Sequence, residues 1–467
     1  MSFFKRDGID MTHGPFLKKL IMFALPVLMT GFLQLLYNTA DLIVVGQFAS
    51  SEAQGAIQST SSLMHLIVGV SMGLSVGVNV AVAKHIGAKD GPAASKVVHT
   101  AVLLSLFCGS VVGLIGFFQS RHFLLMMDSD PDLIGLSELY LKIYFIGTPL
   151  NLLYNFGAAA LRAKGETQKP LTYLLISGAV NVVLNLMFVI GFKMDVDGVA
   201  VATVTSQALS ATLVVVELAR TNGYCKLDFK KLRIDPSALW EIVKIGVPAG
   251  IQSSLFSVSN VIIQSTINSF GKVIITANGN AQSIEGYMNI AVDCVYQAAL
   301  SFIGQNYGAN NKDNITRVMR LTFIMVTTVC VFLAALIIPL RRVFLAAYNT
   351  DHDIITRGET RILINGSTYF IFGWMQVFVA YLRGLGHGVV PVIVSIMGIC
   401  VFRIVWIYTV FPYFKTLENV YLSYPISWAI TALTHFSFYL MLRKSTYKKM
   451  AAEAASRSVD QGDQAAA

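Results

Sequence analysis

Asp41 is the residue on which chemistry can be built. Gln34, Asn38 and Asp41 stand at i, i+4 and i+7, so they share one face of a helix. They lie in an apolar run, where an unpaired carboxylate costs several kcal/mol and needs a hydrogen-bonding partner, a cation or a proton. Asn181 and Asn185 repeat the four-residue spacing on a later apolar segment, and Thr203 and Ser206 open the segment after it. If these segments cross a bilayer alternately, Asp41, Asn181, Asn185 and Thr203 reach similar depths in its outer half. A carboxylate ringed by amides and hydroxyls suits a proton or a small cation. The same side chains also serve as polar contacts between helices, and both readings stand.

A second stripe comprises Glu285, Asn289, Asp293 and Gln297, again four apart. Four-residue steps drift by about 40° each, so the stripe spirals slowly while its neighbours stay in contact. Asp293 falls near mid-membrane and Arg403 at comparable depth, so a structural ion pair between them is expected, with a coupling role for the carboxylate as the alternative. Arg162 and Arg383 open short loops and are expected to hold them to headgroups or helix C-termini.

The elements that carry these residues follow from composition. Of 467 residues, 55% are hydrophobic and 13% charged, with mean hydropathy +0.62. That charge share is about half the usual soluble value. The apolar residues fall in runs, and about 20 of them span a bilayer as a helix. Twelve spans are predicted, near 20–44, 56–83, 97–119, 134–160, 170–192, 197–219, 241–268, 279–304, 317–339, 358–382, 390–411 and 420–442. Residues 1–45 do not read as a cleaved signal, because the apolar run is too long and lacks a small-residue cleavage site. With the N-terminus inside, the inner loops carry 25 Lys and Arg and the outer loops seven, so the net charge of +9 reads as topology. Both termini are then cytoplasmic. The five cysteines are scattered and suggest neither a metal site nor a disulfide framework.

The chain also repeats itself. Arg162-Ala-Lys-Gly165-Glu-Thr-Gln-Lys-Pro170 returns 221 residues on as Arg383-Gly-Leu-Gly386-His-Gly-Val-Val-Pro391, and Gly87-Ala88 as Gly308-Ala309. Pro26 and Asn38 return as Pro248 and Asn260. Six spans per half make the repeat parallel, which in a membrane suggests two lobes rocking about a central cavity. The expected organisation is an N-terminal lobe at 1–219, a basic cytoplasmic connector at 220–240, a C-terminal lobe at 241–444 and a disordered tail at 445–467. The polar cluster is not duplicated: Asp41 maps to Ile263, Asn181 to about Phe402 and Asn185 to about Trp406. Gly31, Gly69, Gly73 and Gly77 permit close helix approach.

Several motifs carry a family resemblance. Thr12-His-Gly14-Pro15 runs through Pro26 into Gln34-Leu-Leu-Tyr37-Asn38-Thr-Ala-Asp41, and Gly304-Gln305-Asn306-Tyr307-Gly308-Ala309 follows in the second half. With the two Arg-x-x-Gly-x-x-x-x-Pro loops, they resemble the bacterial multidrug and toxic compound extrusion family over about residues 12–440. The resemblance implies an all-α fold of twelve transmembrane helices in two six-helix lobes. It further implies a secondary antiporter that exports amphipathic or cationic toxins across the bacterial inner membrane on a proton or sodium gradient. In some relatives the position resembling Asn185 is an aspartate that shares the ion with the one resembling Asp41. The amide here leaves one carboxylate, and Phe256 stands where the sodium-coupled branch has an acid. Both departures favour protons, with Asp41 as the coupling residue and Asn38, Gln34, Asn181, Asn185 and Thr203 around it. No cofactor is expected, the partners are a small amphipathic substrate and the bilayer, and the protein is expected to work as a monomer.

Three other classes compete with this reading. A lipid-linked oligosaccharide flippase of the wider superfamily would show a more cationic interior and fourteen spans, whereas Arg403 is the only basic residue expected deep in a span. An intramembrane enzyme would need a motif such as His-Glu-x-x-His, Gly-x-Gly-Asp or a nucleotide loop, and none occurs. A channel is compatible with the composition, but the resemblance opposes it.

Overall fold

The computed structural model of the protein describes residues 8–48, 50–127, 129–221 and 223–466, and their side chains except those of 38, 40, 42, 51, 62, 65 and 454–466. Among the described residues every regular element is a helix. The first six long ones are α1 (Phe16–Phe48), α2 (Ser51–Gly87), α3 (Gly91–Met126), α4 (Ile134–Lys164), α5 (Gln168–Gly191) and α6 (Val196–Arg220). The second six are α7 (Pro236–Asn268), α8 (Lys272–Gly308), α9 (Lys312–Ile337), α10 (His352–Gly384), α11 (Val389–Thr409) and α12 (Leu417–Ala466). Nine are long and apolar enough to cross a membrane on their own composition. The other three, α4, α8 and α12, are long enough and carry more polar side chains. The predicted six-plus-six helical fold is the observed one.

The repeated motifs are turns, and each explains its own sequence. After Gly87 the chain passes through Lys89 at φ 58°, where its N–H bonds Ile86 O, while Asp90 N–H bonds His85 O at 3.0 Å. Asp90 then caps α3 by accepting from Ala93 N at 3.0 Å. In the second half Asn310 takes φ 55°, Asn311 N–H bonds Asn306 O at 2.9 Å, and Asn311 caps α9 by accepting from Asn314 N. The Arg-x-x-Gly loops behave alike. Gly165 and Gly386 end α4 and α10 at φ 93° and 87°, a left-handed conformation that suits a residue without Cβ. Pro170 and Pro391 then fall in the first turn of the next helix, where no intrahelical partner for an N–H exists.

By compactness the chain forms two units. Unit 1 is residues 29–250 with those up to Ile9, and unit 2 is Asp10–Leu28 with Ile251–Ala467. These bounds differ from the expected division into 1–219 and 241–444. The boundaries fall inside α1 and α7, two residues past Pro26 and past Pro248, each of which removes a helix hydrogen bond. The start of α7 therefore belongs to unit 1. Gly73 and Gly77 of α2 face Gly246 and Gly250 there, so closely that a Cβ on Gly77 would strike Ile242 O and Gly246 N. His85 Nε2 and Glu241 Oε2 close the end of this contact at 2.8 Å, with Lys84 at 3.3 Å from the other oxygen. Apolar lipid gives little drive for helices to associate, so small residues and short polar contacts must supply it.

The start of α1 belongs to unit 2. Phe16 and Phe23 meet Phe302 edge-on at 6.4 and 5.8 Å. Asn306 and Asn314 donate to the carbonyls of Met11 and Thr12 at 2.8 and 2.6 Å. The connector lies within unit 1 and packs there: Cys225 and Leu227 are buried, and His99 Nε2 accepts from Asp228 N at 2.9 Å. The tail expected to be disordered continues α12 as helix. Thr446 and Met450 are buried one turn apart, and Thr446 Oγ1 lies 2.8 Å from His387 Nε2. Seven alanines between 445 and 467 favour that extension.

Candidate functional site

In unit 1, α1 and α5 approach closely because α5 has a glycine where α1 has a tyrosine. A side chain on Gly178 would collide with the Tyr37 ring. Tyr37 donates to Leu174 O at 2.7 Å and fixes the register of the two helices. One turn on, Asn185 Nδ2 donates to Asp41 Oδ1 at 2.5 Å and reaches Asn181 Oδ1 at 3.3 Å. Asn185 is fully buried, Asn181 nearly so, and Asp41 half-buried. The Asn185 carbonyl oxygen is buried without a hydrogen-bond partner. Three of the expected residues thus come together: Asp41, Asn181 and Asn185.

Among the described side chains, Thr203 and Gln34 do not join them by hydrogen bonds. Thr203 Oγ1 donates to Val199 O of its own helix at 2.9 Å, because a threonine inside a helix finds the carbonyl one turn back. Gln34 is half-buried two turns from Asp41, and the Asn38 side chain lies outside the described residues. Sequence reasoning missed Tyr140 of α4, which is buried beside Asp41 and stacks on Tyr144 with centroids 6.4 Å apart. It also missed Tyr37, although Tyr37 stands next to Asn38 in the motif that drew attention.

Unit 2 resolves the second stripe into separate partnerships. Glu285 is clamped by Arg361, with Nε on Oε1 at 3.0 Å and Nη2 on Oε2 at 2.7 Å. Asn365 adds a third donor to Oε1 at 3.0 Å. Arg361 Nη1 donates to Asn278 Oδ1 at 2.6 Å, which also accepts from Tyr421. A π-helical turn at Ile362–Gly366 follows Arg361 within α10 and carries Asn365. Asn289 donates to the Tyr369 hydroxyl at 3.4 Å, and Gln297 is half-buried.

The expected Asp293–Arg403 pair is not formed. Arg403 donates through Nε to Ser427 Oγ at 2.9 Å and lies over the Tyr424 ring at 4.0 Å. Nor is Arg403 the only arginine inside. Arg361 is 3% exposed, and Arg383 is buried, donating to the Tyr296 hydroxyl and to Gln252 Oε1, each at 2.7 Å. Arg383 therefore ties α10 to α8 and α7, a correction to its expected place at the headgroups. Arg361 lies near the start of the span predicted at 358–382, and two loops separate it from Glu285, so no spacing in the sequence links the pair.

Comparison with known proteins agrees with the duplicated helical fold. The MatE family model matches residues 26–187 and again 248–409, two equal stretches set at the interval of the internal repeat. The chain is 24% identical over 435 residues to the probable multidrug resistance protein YoeA of Bacillus subtilis, covering 91% of this chain and 94% of that one. It is 21% identical over 382 residues to the multidrug export protein MepA of Staphylococcus aureus, covering 80% and 83%. Among solved structures, a MATE protein in complex with MaL6 superposes with TM-score 0.87 at 20% identity, over 95% of this chain and 99% of that one. A transporter of the MOP superfamily from Pyrococcus furiosus gives TM-score 0.87 at 20% identity, over 94% and 98%. A family model that fits both halves of a duplicated twelve-helix membrane fold places the chain in the MatE family, the multidrug and toxic compound extrusion transporters that its motifs resemble.

Proposed function

We propose that the protein exports amphipathic, often cationic, compounds across the bacterial plasma membrane in exchange for protons, and that Asp41 carries the proton. The names of YoeA and MepA support the substrate class. The observation that carries the coupling role is the partner of Asp41: a neutral amide, Asn185. An amide serves either protonation state. Its Nδ2 donates to a carboxylate, and after a half-turn its Oδ1, now without a partner, accepts from a carboxylic acid. An arginine in that position would favour the ionised form alone, and Glu285 already has one.

Protonation of Asp41 and substrate binding are then linked through one two-state equilibrium between inward- and outward-open forms, each ligand biasing the form the other disfavours. Sodium is the less supported ion, because Asn185 is an amide and the cluster offers a cation the single carboxylate of Asp41. The deciding experiment is transport of a fluorescent cation by proteoliposomes under separately imposed pH and sodium gradients. A pH gradient alone should drive transport, and the Asp41→Asn variant should fold and lose that drive. Transport driven only by sodium would overturn proton coupling.

A further inference from the structure

In unit 2, the ends of α9, α10 and α12 that the sequence assigns to the cytoplasm set basic residues above an aromatic cluster. α10 packs against α9 on one side and α12 on the other. Thr316, Arg320, Phe323 and Thr327 of α9 stand at i, i+4, i+7 and i+11, so they share one stripe. Three of them touch the neighbouring helices. Thr316 Oγ1 accepts from Arg443 Nη2 of α12 at 3.5 Å, and Phe323 meets Phe378 of α10 edge-on at 4.9 Å. Thr327 Oγ1 accepts from Trp374 Nε1 of α10 at 2.8 Å. Arg320 lies between Thr316 and Phe323 in this stripe, on the cleft that Arg443 crosses, and it is exposed.

Arg320 also stands one turn inside the span predicted at 317–339, where a guanidinium must reach an anion or water. No carboxylate pairs with Arg320 or Arg443 among the described residues. Asp313 is two turns from Arg320, about 10 Å along the helix. Glu453 lies against Lys449 and Tyr307 instead. Arg443 rests on the rings of Tyr439 and Tyr447, 5.8 and 5.6 Å from their centroids. Those contacts hold the guanidinium in place and leave its charge unneutralised. Deeper in the span, Phe378, Phe436 and Tyr439 form one cluster, with centroids 5.8 to 6.2 Å apart. Phe436 is 42% exposed, so the cluster has an open face about 10 Å below Arg443.

We propose that Arg320 and Arg443 bind the phosphate of an anionic phospholipid, whose acyl chain lies along Phe436 and the rings beside it. A guanidinium presents paired donors to phosphate oxygens. Basic residues between helices at the membrane surface are suited to lipid headgroups. A zwitterionic headgroup brings its own cation, which the two arginines repel. The site lies outside the Asp41 cluster and is independent of the coupling ion.

Native mass spectrometry of the full-length protein in mixed micelles of dioleoylphosphatidylglycerol and dioleoylphosphatidylcholine tests it. The protein should retain phosphatidylglycerol in preference to phosphatidylcholine. Arg320→Gln and Arg443→Gln should each weaken that retention about fivefold, the worth of one basic side chain at a headgroup. Arg320 is exposed, so its variant covers a failure of Arg443→Gln to fold. Lys230→Gln removes the same charge from the surface of the connector and should leave the preference intact. Equal retention of both lipids overturns the proposal, as does an unchanged preference in Arg320→Gln or an equal loss in Lys230→Gln. In a separate arm, glycerol 3-phosphate supplies the phosphate without acyl chains. It should not displace the lipid at equal concentration. Displacement would make this a site for a soluble phosphate, and the lipid assignment fails.

Discussion

At the scale of single residues, the protein places its interior carboxylates in opposite company. Asp41 meets an amide, and Glu285 meets a bidentate guanidinium. The consequences of neutralising them should differ in kind. Asp41→Asn preserves size and hydrogen bonding, so the variant should melt near the wild-type temperature in a detergent thermal-shift assay while pH-driven efflux falls to the level of empty liposomes. Glu285→Gln leaves Arg361 buried without its counter-charge, which costs about 3–5 kcal/mol, so its melting temperature should drop clearly. Normal transport by Asp41→Asn, with activity abolished in a folded Glu285→Gln or Asp293→Asn, would move coupling to the second half.

At the scale of elements, close packing and an ordered connector give two further tests. A side chain on Gly77 strikes the α7 backbone, which cannot yield as a flexible side chain would. Gly77→Leu should cost about 1–3 kcal/mol or more and lower the melting temperature. Gly279→Ala, where an added Cβ meets nothing within 4 Å, should be neutral or slightly stabilising. In the connector, burial pushes the Cys225 thiol up to about 12. Only the thiolate reacts with maleimide, so Cys225 should stay unlabelled at pH 7 to 8 until the protein unfolds. A cysteine at position 228 in a background free of native cysteines should label from the cytoplasmic side alone. Labelling from outside intact cells would invert the proposed topology.

At the scale of the whole molecule, α1 and α7 each belong to both units, changing membership just past Pro26 and Pro248. Within the long helices, a movement of one unit against the other would fall on these two. Spin labels at residue 48 on α1 and residue 268 on α7 report on unit 1 and unit 2 respectively. Their distance distribution should shift between pH 8 and pH 5 in the wild type, and the Asp41→Asn variant should give one distribution at both. A pH-invariant wild-type distribution would remove the link between protonation and lobe movement.

The sequence by itself determined the helices, their number, the duplication and the family, because each is written in local signals. Apolar runs set the spans, and glycine and proline at fixed spacing set the turns at Gly165 and Gly386. The i, i+4 pairing of Asn181 and Asn185 put two amides on one face, and their meeting with Asp41 needed only that adjacent spans reach equal depth. What lay beyond the sequence depends on which helix faces which. Arg361 answers Glu285, Arg403 turns to Ser427 and the Tyr424 ring instead of pairing with Asp293, Arg383 turns inward to Tyr296, and Thr203 satisfies itself on its own helix. The unit boundaries fall within α1 and α7 rather than in the connector. Partner choice among buried charges is decided by distances of a few ångströms, and only tertiary packing fixes those.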